Sequence, residues 1–149
     1  MTKAKRRSYA VKTTFTLCGK FFVCAKDEDD ARNMVESRCY RIDPKTCTKL
    51  PLKEVGWDFS YTENHSMETG VVSLLKDGRY AVETRFVNSG TFWVAAESRD
   101  EARQTVEVNC SQRSCSHMQS TLPSDKVSWR FPRKPQISTG RVFLQKQRD

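Results

Sequence analysis

Tyr9-Ala10-Val11-Lys12-Thr13-Thr14-Phe15-Thr16-Leu17-Cys18-Gly19-Lys20-Phe21-Phe22-Val23-Cys24-Ala25 and the residues up to Cys39 decide the fold, because the chain contains this stretch twice. A shift of 71 positions lays Tyr9–Cys39 without a gap on Tyr80–Cys110, and 15 of the 31 aligned pairs are identical. The identities include Tyr9/Tyr80, Phe15/Phe86, Gly19/Gly90, Phe21/Phe92, Ala31/Ala102, Val35/Val106 and Cys39/Cys110. Self-similarity at a fixed offset points to an internal duplication.

Tyr9–Leu17 alternates, with Tyr9, Val11, Phe15 and Leu17 on one face and Lys12, Thr14 and Thr16 on the other, the pattern of a half-buried strand. Gly19, and Asn88-Ser89-Gly90 in the second copy, supply the left-handed position of a hairpin turn. A return strand then places Phe21, Val23 and Ala25 beside the first apolar row. Asp27 and Ser98 are N-cap residues, each followed three positions later by an acid, Asp30 or Glu101. Ala31, Val35 and Cys39, like Ala102, Val106 and Cys110, recur at i, i+4, i+8 and form one helical stripe against the sheet.

Val55-x-Trp57-x-Phe59 matches Val127-x-Trp129-x-Phe131, a third strand with a heavy apolar face. Thr69-Gly70-x-Val72-x-Leu74 matches Thr139-Gly140-x-Val142-x-Leu144, a fourth. Asp77-Gly78 reads as a tight turn that pairs the last strand of the first copy with the first strand of the second. The expected fold is therefore α+β: a tandem duplication of a ββαββ unit, each an antiparallel sheet with one helix on one face. Residues 1–78 form the first repeat, with a basic arm at 1–8, and residues 79–149 form the second, packed on the first because a lone lobe of this size has a marginal core.

Two strands, a V-x-A-x-(D/S)-x-x-(D/E)-A helix entry, a Leu-containing turn and a V-x-W-x-F strand together resemble the small DpnD/PcfM-like domain of phages and mobile elements. The resemblance covers Tyr9–Tyr61 and Tyr80–Pro132, one domain per copy. It implies the fold and a phage or plasmid origin, and it transfers no site residues. The fourth strand and the cysteine-rich loops depart from the family pattern.

The net charge of +8 suits a polyanionic partner. Residues 1–78 carry 14 Lys/Arg against 11 Asp/Glu, and residues 79–149 carry 12 against 7. No stretch reaches the roughly 20 apolar residues of a membrane span. The basic N-terminus leads into a strand rather than an apolar signal core, so a cytoplasmic protein is expected, in the host cell if phage-encoded.

Without an export signal, the six cysteines do not suggest a disulfide framework. Cys39, Cys47, Cys110 and Cys115, with His117 close by, are the one set that could hold a zinc ion across the two copies. Their spacings are not those of CxxC pairs, and buried or loop thiols are the simpler account. A Cys115–His117 nucleophilic pair has no orienting third group. Asp27-Glu28-Asp29-Asp30 complements a helix dipole without needing metal. No Walker loop, GxGxxG or HExxH occurs, so neither an enzyme nor a cofactor is expected.

Basic residues with aromatics remain. Lys3, Lys5, Arg6 and Arg7 form an arm suited to phosphates, and Arg130, Arg133, Lys134, Arg141, Lys146 and Arg148 form a second cluster. The strand faces turned away from the helices are expected to carry Lys12, Thr14, Thr16 and Phe22 in one copy and Glu83, Arg85 and Trp93 in the other. An aromatic beside Lys or Arg on a sheet is the layout that stacks single-stranded bases. Alternatively Phe22 and Trp93 meet where the lobes pack, which the marginal size of each lobe favours. The functional expectation is a non-catalytic phage or mobile-element protein binding nucleic acid or a host nucleoprotein complex through its basic surface. The alternative is an anti-CRISPR-like inhibitor that docks on a host defence protein.

Overall fold

The computed structural model describes residues 6–41, 45–59, 65–112, 118–132 and 134–145. The chain is a mixed α and β structure, a mostly antiparallel sheet with two helices. The elements are β1 (Arg7–Val23), α1 (Glu28–Arg38), β2 (Cys39–Arg41), β3 (Thr46–Thr48), a 3₁₀ turn (Leu52–Glu54), β4 (Val55–Asp58) and β5 (His65–Leu74). They continue with β6 (Tyr80–Ala96), α2 (Arg99–Asn109), β7 (Cys110–Gln112), β8 (Met118–Ser120), β9 (Val127–Arg130) and β10 (Gln136–Leu144).

The hairpins expected at Gly19 and Gly90 are absent. β1 and β6 each run straight through the glycine as one strand of 17 residues, about 56 Å at 3.3 Å per residue. They pair antiparallel along their whole length, from Arg7↔Ala96 to Val23↔Tyr80. Neither glycine has positive φ, which among the described residues only Gly78 does. Close approach explains them instead. A Cβ on Gly19 would overlap the Phe131 ring and the Arg130 carbonyl, and one on Gly90 would overlap the Phe59 ring and the Asp58 carbonyl. The glycine lets the third strand's aromatic lie on the long strand.

Partners are exchanged across residue 78. β1 pairs with β6, β9 and β10, and β6 pairs with β1, β4 and β5; β2 pairs with β8 and β3 with β7. Each of these ladders joins a strand before residue 79 to one after residue 78. Thr16 faces Val87, the residue 71 positions on (16 + 71 = 87), so the two sides of that pair mirror each other. Thus Val11↔Val142 answers Val72↔Val82, and Trp129↔Phe21 answers Trp57↔Phe92. The expected turn at Asp77-Gly78 is present: Leu74 pairs with Tyr80, Gly78 has φ +90°, and Leu75 N–H donates to the Arg79 carbonyl at 2.8 Å.

Because no hairpin interrupts β1, its odd-numbered residues all share one face, joined there by the even-numbered residues of β6. Both helices cover this inner face and create two hydrophobic clusters. One holds Tyr9, Val11 and Phe15 with Phe92, Val94, Ala102 and Val106; the other holds Val82 and Phe86 with Phe21, Val23, Ala31 and Val35. Phe21 and Phe92 have matching surroundings. The Phe21 ring lies 6.3 Å from Phe86, 6.0 Å from Trp129 and 5.2 Å from Phe131. That of Phe92 lies 6.2 Å from Phe15, 6.1 Å from Trp57 and 4.9 Å from Phe59. Fully burying one such side chain contributes about 1.5–3 kcal/mol.

The helices start as their sequences require. Asp27 accepts from Asp30 N–H at 2.8 Å and Ser98 from Glu101 N–H at 3.1 Å. In return Asp30 accepts from Lys26 N–H and Glu101 from Glu97 N–H, one residue before the cap. The helical stripe is shorter than expected, because Cys39 and Cys110 are C-cap residues that open β2 and β7, although both thiols remain buried. Each helix is tied to a sheet edge in the same way. Arg32 donates to the Thr69 carbonyl and Thr69 to Glu36; Arg103 donates to the Gly140 carbonyl and Thr139 to Glu107.

Candidate nucleic-acid interface

With both helices on the inner face, the outer face of the six-stranded sheet carries no second layer among the described residues. Strand alternation sends the even positions of β1 and the odd positions of β6 there. Phe22 and Trp93 both lie on it, as their parity requires, but they do not meet. Phe22 pairs with Ala81 and Trp93 with Ala10, at opposite ends of the long ladder. The inter-lobe core expected from them lies on the inner face instead, because the halves join by strand pairing rather than by stacking two finished lobes.

The outer face gathers five of the anticipated residues. Lys12, Trp93 and Arg141 stand toward one end, and Arg85 and Arg130 toward the other, where Arg130 pairs with Lys20. Arg6 donates to the Ala95 carbonyl at 3.1 Å and so borders the Trp93 end; Arg7 is exposed at the start of β1. Lys134 is exposed between β9 and β10. Lys3, Lys5, Arg133 and Lys146 lie outside the described residues, as do Cys115 and His117.

Two clefts open on this face where β1 meets β10 and where β6 meets β5, beside a register shift in each ladder. Apart from Asp58, the residues lining the first have counterparts lining the second, yet the chemistry differs. The first, about 350 Å³, is lined by Lys12, Thr14, Asp58, Ser89, Thr91 and Ser138. Lys12 Nζ donates to Thr91 Oγ1 at 3.0 Å, and the Thr14 and Ser89 hydroxyls are 3.1 Å apart. The second, about 490 Å³, is lined by Cys18, Lys20, Glu68, Glu83 and Arg85, with Arg85 ion-paired to Glu68.

Sequence reasoning missed Lys20, Ser89, Thr91, Ser138 and Phe143. Once β1 and β6 are read as unbroken, the parity rule recovers Lys20, Ser89 and Thr91; Phe143 and Ser138 are brought beside them by register with β1. Two guanidiniums sit over aromatic rings here, Arg79 at 5.5 Å from the Phe22 centroid and Arg141 at 5.7 Å from that of Phe143. Behind the Phe22 edge, the Arg79 backbone N–H and guanidinium hydrogen-bond Asp77 and hold its carboxyl below the usual range.

The thiols lie elsewhere. Cys39 donates to Ser120 Oγ at 3.4 Å in one cluster and Cys110 to Thr48 Oγ1 at 3.6 Å in the other. Burial pushes both thiol pKa values up, and these hydrogen bonds only partly oppose it. Cys47 is half-buried, opposite Ser111 on the β3–β7 ladder. Among the described residues no group of three or more His, Cys, Asp or Glu is placed to hold a metal ion, and no helix is long and apolar enough to cross a membrane. No family model, curated protein or solved structure matches this chain.

Proposed function

We propose that this chain is a non-catalytic protein of phage or mobile-element type that binds nucleic acid, or a host nucleoprotein complex, in the cytoplasm. The observation that carries this reading is the uncovered outer face of the sheet. It displays Lys12, Lys20, Arg85, Arg130 and Arg141 beside Trp93 and Phe143. Cations neutralise phosphates without reading sequence, and aromatic faces accept any base.

We also infer that the chain is a tandem duplication of one ββαββ unit, residues 1–78 and 79–149, with each long strand counted as two half-strands meeting at Gly19 or Gly90. The duplication is supported by the 15 identities at offset 71 and by the matched caps, helix-to-edge contacts and ring clusters described above.

Fluorescence anisotropy with labelled oligonucleotides over a salt series tests the binding. Log affinity should fall linearly with log salt, and Lys12→Ala or Arg130→Ala should each reduce the slope by about one. Exposed Val71 and Leu74 on β5 favour a second reading, docking on a protein of a host defence complex. That predicts a complex with little salt dependence. Absence of oligonucleotide binding at low salt would remove the first reading.

A further inference from the structure

We propose that the Trp93 end of the outer face holds one unpaired nucleotide, with its base between Phe143 and Trp93 over Ala10 and its phosphate in the cleft beside Lys12. The inference rests on the nucleic-acid reading above and specifies it: single-stranded DNA or RNA, engaged through one unstacked base.

The geometry follows from register. Phe143, Ala10, Trp93 and Gly56 form one row across β10, β1, β6 and β4. Neighbouring strands lie about 4.8 Å apart, so the two aromatic positions are about 9.5 Å apart with only the Ala10 methyl between them. Two stacking gaps of roughly 3.4 Å fit within that distance. On its other side the indole neighbours Gly56, which carries no side chain and where an added Cβ would stand 3.7 Å from the ring. Phe143 is 40 % exposed, and Arg141 stacks on it.

The next outer row along β1 begins two residues away, about 7 Å, the scale of a nucleotide from base to phosphate. There Lys12 offers an ammonium and Thr91 a hydroxyl, and one row further along the cleft Thr14, Ser89 and Ser138 add hydroxyls, as donors to phosphate oxygens. Asp58 lines the β4 side of the cleft and repels a phosphate, which directs it toward Lys12 and Arg141 on the β10 side.

The matching place in the other half lacks these features. Its row is Ser73, Ala81, Phe22 and Ser128, so only one wall is aromatic. Glu83 and Glu68 stand where Lys12 and Ser138 stand, and they offset the cleft's own cations, Lys20 and Arg85, the latter ion-paired to Glu68.

Anisotropy titration of the full chain with fluorescein-labelled oligo-dT and oligo-U tests the slot. Trp93→Ala and Phe143→Ala should each weaken binding about five- to 150-fold on whichever probe the unaltered chain binds, with Trp93→Phe restoring most of it. Ser73→Ala should change affinity less than about two-fold, and a duplex of the same length should not respond to Phe143→Ala. If Lys12→Gln and Arg130→Ala weaken binding while Trp93→Ala and Phe143→Ala do not, the slot is wrong and the broader reading stands. If the unaltered chain binds neither probe at low salt, both fall.

Discussion

On the inner face of the β1–β6 pair, seven of the eight positions from Tyr9/Tyr80 to Val23/Val94 carry the same residue in both halves; on the outer face, from Ala10/Ala81 to Phe22/Trp93, one of seven does. The backbone is shared, so the contrast lies in what each face touches. Inner side chains fill close-packed clusters in which a change of one methylene is felt, and outer ones lie outside those clusters. The inner exception, Leu17 against Asn88, is compensated nearby. Gln112 Nε2 donates to Asn88 Oδ1 at 2.8 Å, and the residue matching Gln112 in the other half is the buried Arg41. On the outer face the two halves have been given different chemistry at equivalent places, hydroxyls and a lysine in one cleft and paired charges in the other.

The strongest way to break this comparison is to truncate the matched rings. Phe21→Ala and Phe92→Ala should each destabilise by about 3–5 kcal/mol in denaturant titration; a large cost at only one would show the two clusters to be unlike. Gly19→Ala and Gly90→Ala come next, at about 1–3 kcal/mol each, as the Phe131 or Phe59 ring is displaced. Were these residues exposed turn tips with room for a methyl, Ala would cost little at either.

Asp27→Ala and Ser98→Ala should each lose about 1 kcal/mol through the missing cap, read from thermal midpoints. Cys39 and Cys110 add a gentler signature. Their folded pKa values are raised, so the stability they contribute is fully present below the ordinary thiol pKa of about 8.5 and is lost as pH rises through the folded values. Cys39→Ala with Cys110→Ala should flatten that alkaline decline, whatever the mutations cost at neutral pH. Smallest of all, exchanging the central outer pair by Thr16→Val and Val87→Thr should stay within about 0.5 kcal/mol.

Features set by near neighbours were legible in the sequence: the caps at Asp27 and Ser98, the Ala-Val-Cys stripe, the V-x-W-x-F strands and the Asp77-Gly78 turn. Gly19 was misread because a glycine between two alternating runs looks the same whether it turns the chain or makes room for a ring brought from more than 100 residues away. Partner choice was equally invisible. Periodicity tells which residues share a face, and it does not tell that β1 pairs with β6, β9 and β10. For the same reason Lys12, Arg85 and Trp93 could be placed on the outer face from parity, while Phe143 and Ser138 came to light only through register.

Ladders that all cross residue 78 also constrain how the chain is made. The opening strand leaves the ribosome with no sheet partner yet synthesised, and its first becomes available only as Tyr80–Ala96 emerges. Until then Val11, Phe15, Phe21 and Val23 face water on the nascent chain, a window in which chaperone binding and misassembly compete with folding. By the same logic, a protease that clips the finished protein at the Asp77-Gly78 turn should release no fragment, since the two pieces remain laced together along 17 residue pairs.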